Sequence, residues 1–166
     1  MTTMQAWEAA GNSPIDVLEQ IVAANDWAFE RPSEEEMAVQ LPGRWCDFNI
    51  YVSWEPAVST VQFTLNLHMR ITNGKRQSVH ELLALVNEKV WMGHFAVWNE
   101  EGLIVYRHAL PLRGSSGPSL AQMEDLVQTA LEECERFYPA FQYVIWGGKS
   151  ATDAMAAAMI ETVGEA

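Results

Sequence analysis

Ser78 to Leu112 reads SVHELLALVNEKVWMGHFAVWNEEGLIVYRHALPL, and this stretch decides the fold. In its first half the apolar residues recur at a period of about 3.6, which is typical of an amphipathic helix, and after Gly93 they recur at a period of about 2, which is typical of strands. The helical stripe consists of Val79, Leu82, Leu83, Val86 and Val90. A helix that leads directly into a hairpin predicts an α+β domain.

The turn of this hairpin is Asn99-Glu100-Glu101-Gly102. The pattern is typical of a type I turn closed by a left-handed glycine, and it predicts a three-residue loop in which Asn99 faces Leu103. In that register one face holds His94, Ala96, Trp98, Ile104, Tyr106 and His108, and the other face holds Phe95, Val97, Val105 and Arg107. Because both faces carry apolar bulk, we expect helices on one side and the C-terminal segment or a second subunit on the other.

The rest of the chain supplies more strands and helices. Residues 46–54 and 61–71 alternate apolar and polar side chains, which predicts two long antiparallel strands with one buried face each. Four helix starts carry the same type of capping signal: Ser13 with Asp16, Ser78 with Glu81, Ser119 with Gln122, and Ser150 with Asp153. Pro139 should kink the third helix or restart it. We therefore predict a twisted antiparallel sheet of about five or six strands, with the first three helices packed on one face.

Length and charge limit the possible functions. The chain has 166 residues, enough for one domain over residues 13–166 after a flexible arm over residues 1–12. A formal net charge of -12 argues against binding to nucleic acid, because phosphates are bound through Lys and Arg. No stretch resembles a signal peptide or a membrane span, so we expect a cytoplasmic protein whose partner is another protein rather than a membrane. Cys46 and Cys134 are expected to be free thiols.

No well-specified catalytic motif is present, and no cofactor is expected. The sequence alone does not name a reaction. His94 and His108 could supply two metal ligands on one sheet face, which gives an alternative role as a small metal-dependent enzyme or sensor. A metal site normally needs a third or fourth ligand, and neither His80 nor Glu88 is placed firmly by the sequence. We therefore predict that the protein is not an enzyme.

Three segments carry a resemblance to a known family. They are Trp91-Met92-Gly93-His94-Phe95, the strand Gly102 to Leu112 with Tyr106-Arg107, and Tyr138-Pro139-Ala140-Phe141 ahead of Gly147. In these the chain resembles the YbjN family of small bacterial proteins, described as putative sensory transduction regulators with a fold like that of type III secretion chaperones. The resemblance implies one YbjN-like domain that serves as a non-enzymatic regulatory or chaperone-like module and binds a protein partner or client.

The hairpin also predicts where the protein binds its partners. Aromatic side chains that are not needed for the core can anchor an interface. The candidate interaction surface consists of Trp98, Ile104, Tyr106, His94, His108 and Trp54. A two-fold homodimer would cover such a surface by placing it against the same surface of a second copy.

Overall fold

The computed structural model describes residues 13–163, with side chains for residues 13–160. The arm predicted over residues 1–12 lies outside the described residues. Within the described part of the chain the elements are, in order, α1 (Pro14–Ala24), β1 (Phe29–Ser33), β2 (Glu36–Leu41), β3 (Phe48–Glu55), β4 (Thr60–Arg70), α2 (Arg76–Lys89), β5 (His94–Trp98), β6 (Leu103–Pro111), α3 (Leu120–Ile145) and α4 (Ala151–Val163). A short 3-10 turn, Pro56–Val58, joins β3 to β4.

The strands form one six-stranded sheet in the order β1-β2-β3-β4-β6-β5. Every neighbouring pair is antiparallel. In β3 and β4 each inward side chain faces another inward side chain, as in the pair Val52 and Phe63. The predicted α+β class with an antiparallel sheet of five or six strands is therefore confirmed.

Helices α1, α2 and α3 pack against the sheet, and α4 packs on α2 and α3. Phe95 of β5 lies at the centre of the contact between sheet and helices. Its ring centroid is 5.4 Å from that of Tyr106, 5.9 Å from that of Phe137 and 5.5 Å from that of Phe141. Edge-to-face aromatic contacts of this kind add specific geometry to the burial of a large apolar area.

Two of the four predicted capping signals form complete capping boxes. Ser13 accepts a hydrogen bond from the Asp16 amide while the Asp16 carboxylate accepts one from the Ser13 amide, and Ser119 does the same with Gln122. These bonds satisfy amides that a helix start otherwise leaves unpaired.

The capping box at Ser78 is wrong, because α2 begins two residues earlier, at Arg76, and Ser78 lies inside it. Lys75 precedes the helix and makes no side-chain cap. Arg and Gln are good helix formers, so the sequence before Ser78 can extend the helix. The Arg76 guanidinium also donates to the side-chain oxygen of Asn99 at 2.9 Å, which holds this first turn against the hairpin loop.

Helix α3 runs without interruption through Pro139, so the predicted restart at that residue is wrong. A proline lacks the N–H that would bond the carbonyl four residues earlier, here that of Glu135. The indole N–H of Trp45 donates to this carbonyl at 3.3 Å. The Trp45 ring also stacks on Tyr138, with 6.2 Å between centroids and 7° between planes. The loop between β2 and β3 thus supplies the hydrogen bond that Pro139 removes from the helix.

Candidate functional site

The hairpin of β5 and β6 has a four-residue loop rather than a three-residue loop. Trp98 pairs with Leu103, and the Gly102 amide donates to the Trp98 carbonyl at 2.7 Å. Gly102 has φ +67, a conformation that glycine adopts without steric cost. The predicted pairing of Asn99 with Leu103 is therefore wrong by one residue. A shift of one residue moves every side chain of one strand to the opposite face relative to its partner.

The corrected register divides the predicted interaction surface between the two faces of the sheet. His94 pairs with Arg107, and both face away from the helices together with Trp98. Tyr106 pairs with Phe95 and is 1% exposed, and Ile104 is fully buried. These two residues belong to the core and cannot form the predicted surface in the folded monomer.

Two more of the predicted surface residues lie on the helix-covered face. His108 pairs with Phe63 of β4, on the face opposite to His94, so the prediction that the two histidines share a face is wrong. Burial lowers the pKa of His108, and the neighbouring His94 lowers it further. Trp54 pairs with inward-facing Val61 and is 9% exposed. Of the six residues predicted for the surface, His94 and Trp98 lie outward and exposed.

A metal site built on the two histidines has no geometric basis in this register, because side chains on opposite faces of a sheet point apart. Within residues 13–160, no group of three or more His, Cys, Asp and Glu side chains could hold a metal ion. Each helix of the described chain is also too short or too polar to cross a membrane.

A row of side chains crosses the outward face of the sheet. Tyr51 of β3 pairs with Thr64 of β4, Thr64 pairs with Arg107 of β6, and Arg107 pairs with His94 of β5. Tyr51 is 49% exposed, and Arg107 and His94 are also exposed. Next to Tyr51 the face forms a shallow depression of about 380 Å³ that Ala38 and Asn49 also line. We name Tyr51, Thr64, Arg107 and His94 the cross-strand row.

The outer strands of the sheet offer little backbone for a further strand. At β5, the Asn87 side chain of α2 accepts a hydrogen bond from the Phe95 amide at 2.8 Å and donates one to the Phe95 carbonyl at 3.0 Å. The amide group of Asn87 therefore takes the place that the backbone of an added strand would occupy. At the other edge, β1 is short, has an irregular register between Glu30 and Ser33, and contains Pro32. Such features discourage edge-to-edge pairing.

Comparison with known proteins identifies the family. Residues 14–143 match YbjN, described as a putative bacterial sensory transduction regulator. The chain belongs to the YbjN family. No curated protein sequence matches this YbjN-family chain.

Two solved structures are similar to this YbjN-family protein. One is the crystal structure of YbjN, a putative transcription regulator from E. coli, with a TM-score of 0.53 and 14% sequence identity over 73% of this chain and 85% of that chain. The other is the structure of the HopA1–SchA chaperone–effector complex, with a TM-score of 0.43 and 10% identity over 70% of this chain and 91% of the matched chain. The YbjN likeness shows that the two proteins share the fold.

Glu133 of α3 is a buried acid that the sequence did not single out. It is 6% exposed, and its Oε2 has no hydrogen-bond partner among the described residues. Its Oε1 lies 4.0 Å from an Arg136 nitrogen, too far for a strong ion pair. Burial raises the pKa of Glu133, Arg136 opposes the rise, and Glu132 adds to it. A buried carboxylate with an unpaired oxygen costs stability once it ionises.

We predict that Glu133→Gln stabilises the YbjN-family protein at neutral pH by about 1 kcal/mol, because it removes the charge and keeps the shape. The folded-state pKa is raised, so the wild type loses stability as the pH rises from the pKa of the unfolded chain towards that of the folded protein. The gain from the substitution should therefore be larger near pH 8 than near pH 4. Urea denaturation of both proteins at the two pH values measures it.

Glu124→Gln is the matched control, because Glu124 lies in the same helix and is exposed. Its effect should stay within about 0.5 kcal/mol at both pH values. A gain for Glu133→Gln that does not change with pH would contradict the assignment of a raised pKa.

Proposed function

We propose that this protein is a non-enzymatic regulatory module that binds another polypeptide through the outward face of the β5 and β6 hairpin. The main support for the proposal is Trp98, which is 38% exposed on this face and pairs with half-buried Leu103. Exposed Arg107 lies on the same face, four residues further along β6, where it pairs with His94. Tryptophan and arginine are enriched among the residues that dominate binding energy in interfaces. Membership of a family described as regulatory supports the same function.

The proposal includes two further statements, that the protein forms a homodimer and that it is cytoplasmic. A second copy could cover the Trp98 side of the hairpin, since two-fold dimers bring the same patch of each subunit together. Sedimentation equilibrium of the purified protein tests the dimer, and fractionation of native cells tests the location. Because the second copy and the partner polypeptide would use the same patch, dimer formation should compete with partner binding.

The test of the proposed function is capture of partners by the full chain from its native cells. We expect the wild type to retain one or a few reproducible polypeptides, and Trp98→Glu to lose them, because the substitution places a charge in the centre of the proposed interface. Trp146→Glu is the control, since Trp146 is 60% exposed at the end of α3, far along the chain from the hairpin. Quantitative mass spectrometry of the retained proteins gives the measurement.

Circular dichroism of both variants must first show that they fold. Equal capture by the wild type and Trp98→Glu would contradict the proposed face. Failure to retain any partner, together with turnover of a small molecule, would favour an enzyme and contradict the binding function itself.

A further inference from the structure

The part of the outward face formed by β4, β5 and β6 has a charge distribution unlike that of the whole protein. The part formed by β1 and β2, by contrast, carries Glu30 and Glu36. The chain carries 22 acidic residues against 10 Lys and Arg. Strands β4, β5 and β6 nevertheless contain no aspartate and no glutamate, and their outward-facing residues include Arg70, Arg107 and His94. Three adjacent strands of the sheet thus form a surface that is neutral to cationic in a strongly acidic chain.

Arg107 lies in the middle of this surface and is exposed. It makes no ion pair or hydrogen bond to another side chain within the described residues, in contrast to Arg31, which binds the carboxylates of Asp16 and Glu19 at 2.8 and 3.0 Å. A guanidinium with its donors free matches the geometry of a carboxylate from a partner. The neighbours of Arg107 across the sheet, Thr64 and His94, can add hydrogen bonds without adding negative charge.

The cross-strand row ends at an aromatic side chain, that of Tyr51, which is 49% exposed. Tyr51 stands three strands from His94, roughly 14 Å at the usual spacing of about 4.8 Å between strands. The depression of about 380 Å³ beside Tyr51 has room for one side chain of a partner. Because Glu30 is part of its lining, an uncharged side chain is favoured there over an acidic one. Four or five residues of an extended polypeptide, at about 3.3 Å each, span the distance. Because Asn87 occupies the open edge of β5, such a segment would lie across the face and would not add to the sheet.

We propose that the cross-strand row binds an acidic polypeptide segment, with a carboxylate on Arg107 and an apolar side chain in the depression beside Tyr51. The inference rests on the proposed protein-binding function and names the chemistry of the partner. A cationic partner gains nothing from Arg107, and a second copy of this chain would place one Arg107 surface against another. Charge complementarity therefore favours an acidic segment of a different polypeptide.

The experiment pans the full chain against a phage-displayed library of random twelve-residue peptides. The wild type should enrich peptides rich in Asp and Glu that carry at least one large apolar residue. A synthetic copy of the most enriched peptide should bind Arg107→Glu about tenfold more weakly than the wild type, since the substitution replaces an attraction by a repulsion. Panning with Arg107→Glu should no longer enrich acidic peptides.

Arg113→Glu is the matched control, because it makes the same charge change at an exposed position in the loop after β6. It should change the affinity for the enriched peptide less than twofold.

Two results would overturn the proposal. One is enrichment of peptides without excess acidic residues, and the other is an equal loss of peptide affinity in Arg107→Glu and Arg113→Glu. A dimer in sedimentation that Arg107→Glu abolishes while no acidic peptide is enriched would also overturn it, since the occupant would then be a second copy. If the wild type and Arg107→Glu capture the same cellular partner, the cross-strand row is not the binding site for an acidic segment. The proposed protein-binding function would still hold in that case.

Discussion

Replacing Tyr106 with Ala should lower the free energy of unfolding by about 3–5 kcal/mol, the range for large aromatic residues removed from a core. Tyr106 is 1% exposed and packs against Phe95. Its hydroxyl donates to the carbonyl of Met92, and a Cβ on Gly93 would clash with that hydroxyl. The substitution opens a cavity and leaves a partly buried carbonyl without its donor. Urea denaturation followed by circular dichroism measures the loss.

Tyr51→Ala is the matched control, because it truncates the same side chain on the outward face, where Tyr51 is 49% exposed. Its cost should be close to 0.5 kcal/mol or less, as is usual for surface positions. If Tyr106→Ala does not fold, Tyr106→Phe still tests the hydroxyl, whose loss should cost about 1 kcal/mol. Equal stability of the Tyr106 and Tyr51 truncations would mean that β6 has the opposite face towards the helices.

This comparison decides between the register predicted from the sequence and the register in the structure. Loops of three and of four residues can both end in a left-handed glycine, so Gly102 alone does not determine which residue faces Leu103. The hydrogen bond from the Gly102 amide to the Trp98 carbonyl and the burial of Tyr106 against Phe95 determine it. Both faces of the hairpin contain apolar residues, so the sequence pattern could not detect the error.

Regular alternation made other parts of the fold predictable. Residues 48–55 alternate buried and less buried side chains without a break, as their sequence predicted. The starts of α1 and α3 were also predictable, because a capping box involves residues only three positions apart. The spacing of residues within a few positions of one another was therefore enough to predict most of the secondary structure and the fold class.

Contacts between distant parts of the chain were not predictable in the same way. Asn87 reads as a polar residue beside an apolar stripe, and nothing in its spacing indicates the two bonds to Phe95. Pro139 made one part of such a contact predictable, because a proline within a helix implies a carbonyl without its usual hydrogen-bond donor. The sequence could not show that Trp45, ninety residues from Glu135, supplies that donor.

Trp45→Ala should lower the free energy of unfolding by about 2–3 kcal/mol. The substitution removes the stacking on Tyr138, the contact of the Arg44 guanidinium 5.0 Å from the indole centroid, and the hydrogen bond to the Glu135 carbonyl. The estimate lies below that for a fully buried aromatic residue because Trp45 is 37% exposed. Urea denaturation of the variant and the wild type gives the difference.

A double-mutant cycle with Pro139 isolates the hydrogen bond from the stacking. Trp45→Phe keeps a ring on Tyr138 but has no N–H, so it should cost about 1 kcal/mol when Pro139 is present. In the Pro139→Ala background the amide of the new alanine can donate to the Glu135 carbonyl within the helix, so Trp45→Phe should cost less. The coupling between the two positions should be about 1 kcal/mol. Equal costs in the two backgrounds would contradict the role of Trp45 as the missing donor and would leave stacking on Tyr138 as its contribution to stability.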